Sequence, residues 1–183
     1  MKQYKVKKLV LLSLLTALAL IIFTIESAFP PFVPLPGIKL GFANIITLFL
    51  VLNADKKSAL AVLIARIILA SIFAGQVISF IYSLCGGVSA FLAMCAANYI
   101  LKGKPVWFIG TIGALFHNIG QISAAMILVS WQVICYLPYL MISGCLTGVL
   151  IGLITEITAE KMKKSGILKT FTDIFYGQED KYD

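Results

Sequence analysis

The sequence predicts an all-α integral membrane protein, a six-transmembrane-helix bundle with both termini in the cytoplasm. Two properties of the chain lead to this fold class. Hydrophobic residues make up 60% of the 183 residues and charged residues only 13%, whereas a soluble domain carries about 25% charged residues. The apolar residues form six long runs, and the basic residues lie between those runs, which is the pattern that orients membrane helices.

The six runs define a single membrane domain over residues 1–160, followed by a cytoplasmic polar tail at 161–183. A helix needs about 20 apolar residues to cross roughly 30 Å of hydrocarbon. The second run is short and the third is marginal, so these spans could be tilted or could end within the protein interior. In the tail, 167-ILKTFTDIF-175 predicts a loose amphipathic helix on the membrane surface. The predicted spans are about 9–29, 40–54, 58–75, 78–101, 106–129 and 133–156.

The distribution of basic residues supports both the span count and the orientation. With six spans, nearly every lysine cluster falls on one side of the membrane, and the positive-inside rule makes that side cytoplasmic. The net charge of +7 therefore comes from lysines in the loops and termini that flank the apolar runs. The clusters lack interleaved aromatic residues, so we expect no nucleic-acid partner. The lysines concerned are Lys2, Lys5, Lys7, Lys8, Lys56, Lys57, Lys102, Lys104, Lys161, Lys163, Lys164, Lys169 and Lys181.

Cysteine and histidine usage argues against a metal site or a cofactor. The four cysteines lie inside apolar runs without a CxxC pair, so we interpret them as small packing residues. The single histidine, His117, has no acid or cysteine beside it. No nucleophile–base pair, phosphate-binding loop or paired acid is present either. We therefore predict no catalytic residues, no metal and no cofactor.

Arg66 is a charged residue near the middle of the third run. An arginine at a helix centre costs about 2.5–3.5 kcal/mol on insertion scales, so its side chain must face the protein interior and find a partner. Glu26, near the outer end of the first run, is the preferred partner, because a long arginine side chain can reach outward. Two interpretations stay open: a structural Glu26–Arg66 ion pair, or a cationic anchor for a ligand.

Lys39 is the one lysine predicted on the outer side. A helix beginning near Lys39 would point its free N–H groups at the same place, and both features favour an anion. Asn44 lies one turn further along that helix. The alternative is an interfacial lysine that extends its ammonium to the membrane surface.

The stretch 117-HNIGQ-121 places three polar side chains in an apolar run. On a helix His117 and Gln121 share one face, and Asn118 lies about 100° away. These side chains could satisfy backbone groups freed by the proline-rich loop 30–39 or by a broken helix, or they could face a ligand. With that loop as a stiff cap, the predicted ligand-binding residues are Lys39, Asn44, Arg66, Ser83, His117, Asn118 and Gln121.

Small residues mark two predicted helix-packing faces. Gly144, Gly148 and Gly152 recur every four residues, which lets helices approach closely. They could pack within the bundle or dock another membrane subunit. Ser13 and Ala17 form a weaker face of the same kind on the first span.

The residues 26-ESAFPPFVPLPGIKLGFAN-44 carry a family resemblance. Together with Arg66, Ser83, the Gly86-Gly87 pair and 117-HNIGQ-121, they resemble the heptaprenyl diphosphate synthase component I family, also called the Gx transporter family. Pro138, Gly144 and Gly148 match as well, and the resemblance runs from about residue 8 to 155.

The resemblance implies a function and a set of partners. The family is similar to the six-span, substrate-binding S-components of energy-coupling-factor (ECF) transporters, which bind vitamins from the outer side and dock onto a coupling subunit through small residues. On this reading Ser13 and Ala17 form the docking surface. The implied location is the bacterial plasma membrane, with the lipid bilayer and a small-molecule or prenyl/quinone-like ligand as partners.

Two alternative functions stay open. The first is a non-catalytic membrane subunit of polyprenyl diphosphate or quinone biosynthesis, with a synthase partner. The chain lacks the DDxxD motif with which known prenyl synthases hold Mg²⁺, so it is not expected to be an enzyme alone. The second is an assembly subunit of a flavin- or quinone-linked membrane redox complex, in which Gly144, Gly148 and Gly152 form the interface.

Overall fold

The computed structural model describes residues 2–28, 38–74 and 77–176, and all its regular secondary structure within these ranges is helical. The proline-rich segment 29–37, predicted to be a stiff cap, lies outside the described residues. Seven α-helices and one 3₁₀ helix follow in order: α1 Lys2–Ala28, α2 Asn44–Asn53, α3 Lys56–Ala74, α4 Val77–Leu101, α5 Val106–Leu128, the 3₁₀ helix Trp131–Tyr136, α6 Leu137–Lys164 and α7 Ile167–Tyr176.

Membrane-length helices dominate the described part of the chain. Four segments there are long and apolar enough to cross a bilayer: Tyr4–Ala28, Val77–Leu101, Val106–Leu128 and Trp131–Lys164. Large apolar side chains remain exposed along their outer surfaces, as expected where lipid replaces water. The all-helical membrane bundle predicted from the sequence is thus confirmed in its coarse form. The count of six spans and the cytoplasmic termini stay predictions.

The second predicted span differs from the expectation. Its helix begins at Asn44 and not near Lys39, because the chain first makes a turn in which Gly41 has φ +87°. With 10 residues, α2 is about 15 Å long, half of the hydrocarbon thickness. Leu48 and Leu50 are fully buried. This helix is therefore a central core element surrounded by the longer helices.

Glycines allow α5 and α6 to pack at very close range. A methyl group added at Gly148 would lie 2.4 Å from Thr111 Cα, and one added at Gly152 would lie 2.3 Å from Trp107 Cα. The third glycine of the series, Gly144, faces Asn118 of α5. In this structure the α6 glycines thus contact a neighbouring helix of the same chain. Ser13 and Ala17, in contrast, are exposed on α1.

The tail helix α7 packs against the bundle. Phe171 and Phe175 are four residues apart on one face and are both buried. The Phe171 ring lies 5.3 Å from the ring of Phe49 on α2. The predicted helix is therefore present, but it is not loose, because these two aromatic side chains extend the core and fix α7; its position at the membrane surface stays a prediction.

At the end of the bundle where α7 packs, an ion pair connects α1 to the loop between α2 and α3. Lys8 Nζ lies 2.8 Å from Asp55 Oδ2, and the Phe175 ring lies 5.1 Å from the same ammonium. Asp55 also accepts the backbone N–H of Ser58 at 2.8 Å, which caps the start of α3. Burial alone would raise the pKa of Asp55, but hydrogen bonds from Lys8 and Ser58 outweigh it and lower the pKa.

The α5–α6 contact makes a direct prediction about stability. Gly148→Leu should destabilise the fold by about 1–3 kcal/mol, because the new side chain forces the helices apart. Cys145→Leu places the same side chain one turn away at an exposed position of α6 and serves as the matched control. Thermal unfolding of both variants in mild detergent measures the difference. Equal melting temperatures would contradict this close packing.

Candidate ligand-binding site

Glu26 fixes the turn that precedes α2. Its carboxylate accepts the backbone N–H of Gly41 at 2.6 Å and that of Phe42 at 3.0 Å. Gly41 adopts a positive φ that glycine tolerates without strain. A Cβ at this position would also lie 2.8 Å from the His117 ring and 3.0 Å from Asn44 Nδ2. The turn is therefore held between α1 and α5, and only glycine fits at position 41.

The predicted Glu26–Arg66 ion pair is not formed. Within the described ranges the two ion pairs are Lys8–Asp55 and Lys104–Glu156. The Glu26 oxygens instead accept two backbone N–H groups at hydrogen-bond distance, and Glu26 acts on the Arg66 charge only at longer range. The expected helix N-terminus near Lys39 is absent, since α2 begins at Asn44, and the N–H groups that do point at an anion belong to the turn and bind this chain's own carboxylate.

Lys39 is held by an aromatic ring and a hydroxyl group. Its ammonium lies 3.4 Å from the centroid of the Phe23 ring, a cation–π contact, and donates a hydrogen bond to Ser27 Oγ. Its backbone N–H donates to Gln121 Oε1 at 3.3 Å. Since an ammonium has three N–H donors and forms neither of the ion pairs in the described residues, it retains hydrogen-bonding capacity for a ligand.

The surroundings of Lys39 also change its pKa. Burial lowers the pKa of the ammonium from 10.5 to about 8, with the Arg66 charge acting in the same direction and the Glu26 carboxylate opposing both. The side chain is therefore largely charged at neutral pH and loses its proton in mildly alkaline solution.

Arg66 reaches the same aromatic ring from α3. Its guanidinium carbon lies 5.9 Å from the Phe23 centroid, and the residue is only 4% exposed. Within the described ranges its Nε has no hydrogen-bond partner. A Cβ at Gly87 of α4 would lie 3.7 Å from Nη2. Phe23 thus brings together two cations, one from the segment before α2 and one from α3.

Some buried polar atoms near the turn and on α5 have no partner in the described part of the chain. They are both amide atoms of Asn44 and Oδ1 of Asn118, whereas the His117 ring interacts with the Gly86 backbone. Each of these residues is at most 3% exposed. More than about 90% of buried polar atoms in proteins are hydrogen-bonded. This group of polar atoms is therefore capable of binding further donors and acceptors.

The structure brings most of the predicted site residues together. Asn44 and His117 surround Gly41, and Gln121 bonds to Lys39. Asn118 is turned toward α6, where its Nδ2 donates to the carbonyl of Leu140. Ser83 is buried on α4, one turn before Gly86 and Gly87.

Two contributors were missed in the sequence, Phe23 and Ser27, and Gly86 of the glycine pair that carries the resemblance packs against α5. Phe23 and Ser27 are four residues apart on α1, a spacing that places both on one helix face. A Cβ at Gly86 would lie 2.8 Å from Gln121 Cγ and 2.9 Å from the His117 ring. The helical spacing was a usable signal for Phe23 and Ser27, whereas the residues that Gly86 contacts depend on how α4 packs against α5.

The Glu26 contact predicts a loss of stability on Glu26→Gln. Hydrogen bonds to charged groups contribute about 1.5–3 kcal/mol, and a glutamine offers one oxygen where the turn presents two N–H groups. Glu160→Gln, at an exposed position of α6, is the control for removing a carboxylate. Thermal unfolding in detergent should give Glu26→Gln a melting temperature well below those of both the control and the wild type. A melting temperature equal to the control would show that the turn does not need the carboxylate.

Comparison with known proteins agrees with the resemblance of the sequence. The family model described as heptaprenyl diphosphate synthase component I matches residues 15–158, which include α2 to α5, most of α6 and every site residue described above. No curated protein and no solved structure matches the chain. Since the match covers well over half of the 183 residues, the chain belongs to the heptaprenyl diphosphate synthase component I family.

Proposed function

We propose that this protein is an S-component-like membrane protein that binds, for transport, a small or amphiphilic ligand with an anionic or carbonyl-bearing head. The ligand reaches the site from the outer side, in a bacterial plasma membrane with both termini cytoplasmic. The observation that carries the proposal is the convergence of Lys39 and Arg66 on the Phe23 ring.

The electrostatics of this pair favour an anion. Two cations beside one ring repel each other, and neither forms an ion pair within the described residues. The nearby Glu26 carboxylate accepts backbone N–H groups of the turn and offsets one of the two positive charges, so the site keeps a net positive charge. An anionic head would satisfy both cations through charge-assisted hydrogen bonds. The unpartnered amide atoms of Asn44 provide donors and an acceptor for a carbonyl or hydroxyl group of the same ligand.

A second candidate function follows from the family's description. A component of a prenyl diphosphate synthase would work beside molecules that combine an anionic diphosphate with an apolar chain, which suits the same pair of cations. The chain's four aspartates, Asp55, Asp173, Asp180 and Asp183, form no DDxxD motif, so its role would be that of a non-catalytic membrane subunit. Recovery with a DDxxD-bearing partner after mild solubilisation supports this role, and recovery alone contradicts it.

Native mass spectrometry of the detergent-purified protein tests the main proposal. We expect a bound small molecule in the wild type. Its occupancy should fall roughly 10- to 100-fold in Lys39→Gln or Arg66→Gln, because each substitution removes a charged hydrogen bond. Lys57→Gln removes a lysine at an exposed position of α3 and should retain the ligand. A folded protein whose ligand content is unchanged by either site substitution would refute the proposal.

The pKa of Lys39 gives the proposal a pH dependence. Because this pKa is lowered to about 8, the ammonium is charged at pH 7 and largely neutral at pH 9. Affinity for dodecyl phosphate, whose second pKa of about 6 keeps it dianionic in this range, should therefore fall by up to about tenfold as the pH rises. Lys39→Arg stays charged throughout and should remove the dependence. An equal decrease in both proteins would assign the titration to another group.

A further inference from the structure

An apolar groove lies between α1 and α3. It has a volume of about 580 Å³ and extends along α1 for about 10 Å, given a rise of 1.5 Å per residue. Ile21 and Phe73 are 56% and 80% exposed, so the groove opens toward the outside of the bundle. Its lining residues are Leu20, Ile21, Phe23, Thr24, Ile25, Ser27, Ala70 and Phe73.

One end of this groove lies beside the Lys39 ammonium. Phe23 and Ser27 line the groove, and the same two side chains hold the ammonium of Lys39. The Thr24 hydroxyl is satisfied by the carbonyl of Leu20, so it offers no free donor. The groove is therefore apolar along its length and positively charged at one end.

We propose that this groove holds the hydrocarbon chain of an anionic amphiphile whose head contacts the Lys39 ammonium, and that the molecule enters the site sideways from the outer leaflet of the bilayer. The inference rests on the proposed function, since it uses the same cations for the head. It adds the chemical class of the ligand, the position of its chain and its path to the site.

Charge complementarity decides in favour of this occupant. A groove facing lipid can accept the chain of any bilayer lipid, but the unused N–H donors of Lys39 select a molecule with a negative head. A chain that moves from the bilayer into the groove exchanges one apolar surrounding for another and gains little hydrophobic free energy. The head contact therefore provides the selectivity, while the groove fixes the position of the chain.

Photocrosslinking in nanodiscs tests the position of the chain. The probe is dodecyl phosphate with a diazirine in mid-chain, and the labelled residues are mapped by peptide mass spectrometry. We expect labelling on residues 20–25 of α1 and 70–73 of α3. Dodecyl phosphate should compete for labelling, whereas methyl phosphate, which has the head alone, should compete poorly.

Two matched variants test whether the groove is needed. Thr24→Trp fills the groove at an exposed position and should abolish this labelling. Thr158→Trp is the control, because Thr158 is also an exposed helical threonine bonded to the carbonyl four residues earlier, and it should label as the wild type does. Lys39→Gln should abolish labelling as well.

The outcomes separate the inference from the proposed function. If Lys39→Gln abolishes binding, Thr24→Trp does not, and methyl phosphate competes as well as dodecyl phosphate, the site binds an anionic head but the groove holds no chain. If labelling is spread over all lipid-facing helices and insensitive to both variants, bulk lipid fills the groove adventitiously. That second result overturns the inference, and unchanged ligand content in Lys39→Gln and Arg66→Gln would refute the proposed function too.

Discussion

The contact between the Glu26 carboxylate and the backbone of the turn before α2 is the constraint on which the rest of the site depends. Two N–H groups, of Gly41 and Phe42, direct the chain back across the end of α1. This contact places Lys39 over the Phe23 ring. The carboxylate keeps its charge and still acts on Lys39 and Arg66 at longer range, although it forms no ion pair with either within the described residues. One acidic residue thus shapes the turn and lies near two cations without pairing with either of them.

Glycines on neighbouring elements provide the space for the polar side chains of α5. Gly41 and Gly86 approach His117 from two sides, and Gly144 faces Asn118. At each of these positions a Cβ would lie less than 3 Å from the polar side chain. The glycines therefore do more than allow helices to approach. They create the volume in which imidazole and amide groups stay buried in an otherwise apolar bundle, beside the cations of α3 and the turn.

The sequence predicted the components of this site better than their connections. Burial of Arg66 followed from the cost of a charge in an apolar run, and the polar stretch of α5 was visible as three interruptions of an apolar helix. The partner of Glu26 was predicted wrongly. Backbone N–H groups carry no signature in the sequence, so a side-chain cation was the visible choice, whereas the turn at Gly41 put two amides closer. The docking of α7 was missed for a related reason, because the core that receives Phe171 comes from α2.

The sequence by itself determined the all-helical membrane class, because composition and the length of apolar runs directly reflect the solvent in which a chain folds. It also determined which polar residues are costly to bury, and these became the candidate site. Only the tertiary structure decided that Lys39 and Arg66 share the Phe23 ring, that α2 is a short core helix and that an apolar groove ends at the Lys39 ammonium. These features arise where three or more helices meet, and the distances between residues remote in sequence are set by packing and not by any local pattern.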